Sequence, residues 1–301
     1  MRVLILHNEK SGQGEAGFKT FLAALERGGV EYQVRSLEEG VKLEDLLADA
    51  PEFGAVVAAG GDGTVSGTAH ALRDSDVPIL AYPKGTANLI ALNLKLPSEP
   101  AELAEVLLAG RSRAVDLAVL RYCDPSGQPR ESGFTIAAGT GFDAKLIADS
   151  ENLKSRFGVG GYVLSALSNA KAQVARFRLE LDGETLEREG IGVMVVNLGQ
   201  MQLGLEMAPG ADAADGRLEV VILKARTAAG LVPELLRQLA EKVGLGSPEV
   251  GERLEVCSAR HVRIESEPAL AVQYDGESLE ARPPLEAQIL PGAARSIVPT
   301  E

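Results

Sequence analysis

Val56-Val57-Ala58-Ala59-Gly60-Gly61-Asp62-Gly63-Thr64-Val65 is the stretch on which the fold turns. From Phe53 to Ala59 the chain is nearly all apolar, the pattern of a strand covered on both faces, and such strands belong to parallel sheets flanked by helices. Paired glycines end the run and a helix start follows. In open parallel sheets, ligands bind beyond the carboxyl ends of the strands. Glycines let a backbone approach a polyphosphate, and amides exposed at a helix start favour anions. A carboxylate is a poor phosphate ligand alone, so Asp62 reads as a residue that orients Mg²⁺, a water or an attacking hydroxyl. The plainer alternative is a tight strand-to-helix turn capped by Asp62 or Thr64.

Outward from this point, strands expected at 2–7, 30–36, 53–59 and 77–81 alternate with helical patterns near 15–28, 43–50, 65–73 and 99–109. That alternation predicts a parallel α/β domain over residues 1–120. Beyond it, over 121–301, short β-type runs dominate, with helical segments near 143–173 and 228–243. Asp182-Gly183, Asp215-Gly216 and Asp275-Gly276 stand beside strand-like runs and carry the Asp-Gly hairpin signal. The second domain is therefore expected to be an antiparallel β-sandwich or a strongly bent sheet.

Composition narrows the function classes. The 301 residues are 45% hydrophobic and 24% charged, with 30 Lys+Arg against 43 Asp+Glu and a formal charge of −13. That balance disfavours nonspecific binding to nucleic acid or strongly anionic membranes. Cys123 and Cys257 lie far apart with no metal-ligand spacing, which points to a reducing cytoplasm. The apolar run at the amino terminus is too short for a signal-peptide core, and no apolar run reaches bilayer-spanning length. Any membrane role is expected to be peripheral.

Two further loops follow strands. Asn8-Glu9-Lys10-Ser11-Gly12-Gln13-Gly14 is not a Walker A loop, because its lysine precedes the glycines; an ordinary strand-to-helix turn is the alternative. Pro83-Lys84-Gly85-Thr86-Ala87-Asn88 opens a helix, with Thr86 near its start as a cap in the plain reading. Three such loops after parallel strands would converge on one sheet edge, as a nucleotide site does. Asp212 and Asp215 suit a hard, oxygen-ligated cation, or are two solvated loop aspartates. Between Lys145 and Arg178, six basic residues against two acidic ones, interleaved with Phe157, Tyr162, Val163 and Leu164, could form a lipid-docking face or a solvated helix. His7, His70 and His261 form no recognisable ligand set and are read as structural.

At these residues the chain resembles the diacylglycerol kinase catalytic-domain family, in particular the soluble bacterial diacylglycerol and lipid kinases. Gly60 to Thr64 is similar to the family signature, which NAD kinases and phosphofructokinases share more distantly. Pro83, Gly85, Thr86, Ala87 and Asn88, Leu92 through Pro97, Gly139, Gly141, Phe142, Asp143 and Ala144, Asn197, Ala208 to Ala211, Asp215-Gly216 and Asp275-Gly276-Glu277 follow in the family's order. The resemblance implies an ATP-dependent kinase with the site in the cleft between its domains, the last residues returning to the first domain. It implies nucleotide binding by Asn8, Ser11, Gly12, Ser36, Gly60, Gly61, Asp62, Gly63, Thr64, Ser66, Gly85, Thr86 and Asn88. Catalysis would rest on Glu277 as proton acceptor, with Asp275 and Asp62. A structural Mg²⁺ is implied at Asp212, Asp215 and a carbonyl near Arg217, apart from the Mg²⁺ that accompanies ATP. Phosphoryl transfer needs positioning and charge neutralisation more than covalent chemistry, which amide-rich loops supply. A carboxylate beside a second one can gain the proton affinity a general base needs.

The implied reaction moves the ATP γ-phosphate to a lipid hydroxyl, foremost that of diacylglycerol, giving phosphatidate in phospholipid biosynthesis. A sphingoid base, phosphatidylglycerol or NAD are the alternative acceptors, and a noncatalytic nucleotide-binding regulator is the rival of another class. The enzyme would be cytoplasmic and transiently membrane-associated; a homodimer is left open. Two departures stand out: the first loop lacks the proline that relatives place next to asparagine, and Ser66-Gly67 replaces a frequent Asn-Glu.

Overall fold

The computed structural model describes residues 1–9, 15–38, 40–141, 172–202, 205–231, 233, 237–238 and 253–300. The chain forms two compact units, Met1–Leu117 with Ala213–Gly216 and Leu290–Glu301, and Ala118–Asp212 with Arg217–Ile289. The chain's end thus returns to the first unit, as does a short piece around Asp215.

In unit one, β1 (Arg2–His7), β2 (Glu31–Ser36), β3 (Ala55–Gly60) and β4 (Pro78–Pro83) pair in the order β2-β1-β3-β4, all parallel. Arg295 and Ser296 add a further parallel pairing to Pro78 and Ile79. Every residue of β3 is buried, as its unbroken apolar run requires. The helices are α1 (Glu15–Arg27), α2 (Leu43–Leu46), α3 (Asp62–Ala71), α4 (Leu89–Asn93) and α5 (Pro100–Ala109). Phe18, Phe21 and Leu25 recur at three- and four-residue spacing on one face of α1. They pack with Leu103 and Leu107 of α5 against Val3, Ile5, Val57 and Leu80 of the sheet. The helix expected over 43–50 is shorter: α2 stops at Leu46, and a 3-10 turn at Ala50–Glu52 follows. Pro51 in that turn has no N–H to extend an α-helical ladder.

Asp116 ties together the three passages that build unit one. Its carboxylate accepts the N–H of Gly216 at 2.6 Å and of Gly292 at 2.7 Å, and its own N–H donates to the Ala213 carbonyl at 2.6 Å. These bonds compensate a carboxylate that is 3% exposed. They also correct one hairpin expectation: Asp215-Gly216 joins no two strands, because Gly216 is drawn to Asp116.

In unit two, β5 (Ser112–Cys123) pairs from Ala118 onward with β6 (Pro129–Phe134). Next come β7 (Ala137–Gly141), β8 (Ala175–Leu181), β9 (Glu184–Gly190), β10 (Gly192–Val196), β11 (Leu218–Leu223), β12 (Leu254–Ala259), β13 (His261–Glu267), β14 (Val272–Tyr274), β15 (Glu277–Leu279) and β16 (Leu285–Ile297). Among the described residues one antiparallel sheet runs β12-β11-β10-β7-β14-β15, and β9-β8-β13 continues antiparallel into the first residues of β16. Phe177, Leu179, Val262, Ile264 and Leu285 from one sheet share a core with Val193, Val195, Val220 and Ile222 from the other. Alternate residues of each strand meeting in one core make this a β-sandwich.

The other Asp-Gly pairs do form two-residue hairpins. Asp182-Gly183 joins β8 to β9 with φ of +50° and +93°, and Asp275-Gly276 joins β14 to β15 with φ of +44° and +82°. Positive φ at both central residues is the type I′ turn that matches strand twist.

The helix expected at 143–173 lies outside the described residues. Of the one expected at 228–243, Ala228–Leu231 is a 3-10 turn, and residues 233, 237 and 238 are helical. Of the basic segment, the described Arg176 and Arg178 lie on β8, on a strand and not a helix. They stand opposite Glu189 and Glu187 on one side and Glu267 and Glu265 on the other. That part of the expected basic face is charge-compensated.

Candidate active site

At the carboxyl edge of unit one's sheet, β3 passes straight into α3. Gly61 holds the N-cap position, and its carbonyl accepts the N–H groups of Thr64 at 3.0 Å and Val65 at 3.1 Å. Neither Asp62 nor Thr64 caps α3, which corrects the plain reading of the loop. Asp62 Oδ1 accepts the N–H of Ile90 at 2.9 Å, in the first turn of α4. It thereby satisfies a backbone donor that the helix start leaves without an intrahelical partner.

The Pro83–Asn88 loop meets the glycine signature directly. The Lys84 N–H donates to the Gly60 carbonyl at 3.0 Å, and a methyl group added to Gly85 would stand 2.6 Å from Gly61 Cα. At Gly85, this close approach of one loop to the other already requires the absence of Cβ. Thr86 does not cap α4, which begins at Leu89, and Thr86 is exposed. Asn88, left-handed at φ +48°, closes the loop instead: its Oδ1 accepts the Gly85 N–H at 2.8 Å and its Nδ2 donates to the Gly85 carbonyl at 2.7 Å.

From β1, the Asn8 N–H donates to the Ala59 carbonyl at 2.9 Å and its Nδ2 to Thr64 Oγ1 at 3.0 Å. Asn8, Gly60, Gly61, Asp62, Gly63, Thr64, Gly85, Thr86 and Asn88 therefore gather at one sheet edge. Ser36 follows the neighbouring strand, and its hydroxyl donates to Glu9 Oε1 at 3.2 Å. Ser11 and Gly12 lie outside the described residues. Ser66 is buried within α3, and a methyl on Gly67 would stand 3.1 Å from Leu43 Cδ2. Leu43 of α2 thus covers the position where the resemblance expects glutamate.

One pair at this edge was missed by sequence reasoning. Lys84 Nζ lies 2.6 Å from His7 Nε2, with Lys84 4% and His7 8% exposed. The His7 ring stacks on Phe18 at 4.4 Å between centroids. Burial pushes the His7 imidazole below its usual value, and the Lys84 charge adds to this. Burial likewise pushes the Lys84 ammonium down, opposed by the charges of Glu15 and Glu9. The available signal was His7 itself, a polar residue closing an apolar strand.

In unit two, Asp275 is tied to backbone. Its Oδ2 accepts the Thr135 N–H at 2.8 Å, its Oδ1 those of Ile136 at 2.8 Å and Ala137 at 3.1 Å, and its own N–H donates to the Ala137 carbonyl at 2.7 Å. Asn197 braces the same segment: its N–H donates to the Ile136 carbonyl and its Nδ2 to the Thr135 carbonyl, both at 2.8 Å. Asp275 thus anchors the turn through these backbone bonds. Glu277, just past the turn, is exposed and lies opposite Tyr274. The Tyr274 hydroxyl is raised above its usual value, chiefly by burial and then by the Glu277 charge. Asp212 and Asp215 are exposed, and the Arg217 guanidinium donates to Ser258 Oγ at 2.7 Å and the Ser258 carbonyl at 2.9 Å. Among the described residues no three His, Cys, Asp or Glu side chains form a metal-holding group.

Residues 2–120 match the diacylglycerol kinase catalytic domain, and residues 136–298 match the YegS C-terminal NAD kinase beta sandwich-like domain. The chain belongs to this family, the YegS-like and diacylglycerol kinase group of lipid kinases. Membership makes it an enzyme of the kinase class. A Pseudomonas fluorescens protein named probable lipid kinase YegS-like is 31% identical over 99% of this chain and 95% of its own length. A Mycobacterium tuberculosis diacylglycerol kinase is 27% identical over 99% and 95%. The chain spans 65% of the length of a Synechocystis protein, sll0036, to which it is 26% identical over 96% of its own. Among solved structures, a diacylglycerol kinase from Bacillus anthracis str. Sterne superimposes with a TM-score of 0.71 at 20% identity, covering 99% of this chain and 97% of that one. This likeness bears on the fold.

Proposed function

We propose that the protein transfers the γ-phosphate of ATP to a lipid hydroxyl, that of diacylglycerol, giving phosphatidate and ADP. The observation that carries this reading is the gathering of two glycine loops with Asn8 at one edge of a parallel sheet, in a chain of the lipid kinase family. The group to be held fits that edge. Glycine amides and the hydroxyls of Thr64 and Thr86 are donors suited to phosphate oxygens, and the nearby helix starts favour negative charge. Mg²⁺ bound with ATP would offset charge on the transferring phosphoryl group, with Asp62 as the loop's carboxylate for it. The second, structural Mg²⁺ at Asp212 and Asp215 is proposed on the family resemblance alone.

The chain's own residues then do the rest. Asp275 fixes the turn through its backbone bonds, and the turn presents Glu277. Glu277 accepts the proton as the lipid oxygen forms its bond to the γ-phosphorus and the bond to the β,γ-bridging oxygen breaks, ADP leaving with that oxygen. A lipid acceptor requires the enzyme to visit a membrane surface; no helix among the described residues is long and apolar enough to cross one.

The test is Mg²⁺-dependent transfer of labelled phosphate from ATP to diacylglycerol, a sphingoid base and phosphatidylglycerol in mixed micelles, with NAD alongside. A labelled diacylglycerol product, lost in Glu277→Gln while ATP affinity persists, is the expected result. Turnover retained in Glu277→Gln removes that residue from the mechanism, and transfer to another acceptor alone replaces diacylglycerol as the substrate. ATP binding with no transfer to any acceptor would leave a nucleotide-binding regulator.

A further inference from the structure

Lys84 is the one lysine or arginine buried among the described residues, at 4% exposure. A buried ammonium is costly unless an opposite charge compensates it. Here the described residues give Lys84 no ion pair; its side-chain partners are the His7 ring nitrogen at 2.6 Å and the face of Phe18, 5.4 Å from the ring centroid. Glu9 and Glu15, both exposed, are the carboxylates whose charge reaches it, and they do so without a hydrogen bond. His7 serves as an acceptor, so its imidazole is neutral while the ammonium donates to it. An ammonium has three donors, and His7 takes one. The Lys84 backbone is fixed at the meeting point of the two glycine loops, through its N–H on the Gly60 carbonyl and its neighbour Gly85 against Gly61. The backbone of Lys84 thus sits at the glycine loops while its ammonium, against His7 and Phe18, has no anionic partner among the described residues.

We propose that Lys84 is a ligand of the nucleotide's polyphosphate, giving this chain its preference for ADP and ATP over the nucleoside. This rests on the nucleotide reading of the sheet edge. The phosphate supplies the charge that no described side chain provides, and His7 keeps the ammonium in place until it arrives. Charge-assisted contacts of this kind are worth roughly ten- to a hundredfold in affinity.

Calorimetric titration with ATP, ADP and adenosine of the unaltered protein, Lys84→Met and Lys84→Arg tests it. Lys84→Met should weaken ATP and ADP at least tenfold and leave adenosine unchanged, with Lys84→Arg closer to the unaltered protein. Equal loss for adenosine, or no loss for ATP, overturns the proposal while the nucleotide reading stands. An unaltered protein that binds neither ATP nor ADP overturns both. Because Lys84→Met replaces a buried group, the unaltered protein is also followed by NMR of its ¹⁵N-labelled lysine ammonium groups. Saturating ATP, but not adenosine, should shift the buried Nζ signal; a signal indifferent to ATP refutes the contact.

Discussion

Gly61 and Gly85 face each other, but a methyl group costs different amounts at each. On Gly85, Cβ would lie 2.6 Å from Gly61 Cα and 3.1 Å from Asn88 Oδ1, while on Gly61 it would lie 3.4 Å from Gly85 Cα, an ordinary contact. Gly85→Ala therefore forces the loops apart by most of an ångström and strains the clamp Asn88 makes on residue 85. Overpacking of this kind costs about 1–3 kcal/mol. The lost freedom of the unfolded chain returns about 0.4–1 kcal/mol. A net loss of about 1–2 kcal/mol is expected for Gly85→Ala, with Gly61→Ala neutral or stabilised by up to about 1 kcal/mol. At roughly 2–4 °C per kcal/mol, unit one of Gly85→Ala should melt about 2–8 °C lower. The assay is scanning calorimetry with urea unfolding, in the absence of nucleotide. If the glycines serve only to admit phosphate, neither substitution changes stability without ligand. Equal effects at the two positions, or a larger loss at Gly61, would refute the packing argument.

Asp275→Ala leaves the amides of Thr135, Ile136 and Ala137 without their carboxylate and should cost roughly 1.5–3 kcal/mol in urea unfolding. It should also reduce transfer while ATP affinity persists, since Asp275 acts through the turn that carries Glu277; unchanged transfer would separate the turn from catalysis. Glu255 tests the sandwich electrostatically. Hydrogen bonding by Arg188, reinforced by Lys224, holds its carboxyl below the ordinary value of 4.5 against the opposing effect of burial. The lowered folded value means that the ion pair stabilises the protein above pH about 4.5 and that this contribution fades as pH falls through the folded value. The stability gap between the unaltered protein and Glu255→Gln should be present at neutral pH and close in acid; a gap that widens in acid contradicts the assignment.

Much of the fold was legible because it depends on local pattern. The apolar run at 53–59 read as a doubly covered strand and forms one at 55–60, Phe18, Phe21 and Leu25 mark one helix face, and Asp182-Gly183 and Asp275-Gly276 take positive φ at both residues. Local pattern failed where a distant group competed for the same backbone. Asp215-Gly216 looked like the other two pairs, but Asp116, 100 residues earlier in the chain, takes the Gly216 N–H. Thr86 sat where a helix cap belongs, but Asp62 and Asn88 already satisfy that loop and helix start, so α4 begins later. For the site, the residue types and loops were readable, and the partners were not.

The sequence by itself determined the alternation of strands and helices in the first unit, the position of the glycine loops and three Asp-Gly hairpin candidates, since each follows from side-chain periodicity or backbone sterics within a few residues. Only the tertiary structure decided that Asp62 reaches Ile90, 28 residues away, that Lys84 meets His7 across 77, and that Asp275 gathers amides some 139 residues earlier. The physical reason is the same for all three. A buried polar group, or the amide at the start of a helix or strand, takes its hydrogen-bond partner from whatever the fold brings within about 3 Å, whatever its distance along the chain; for the Lys84 ammonium that partner is neutral and its charge stays uncompensated among the described residues.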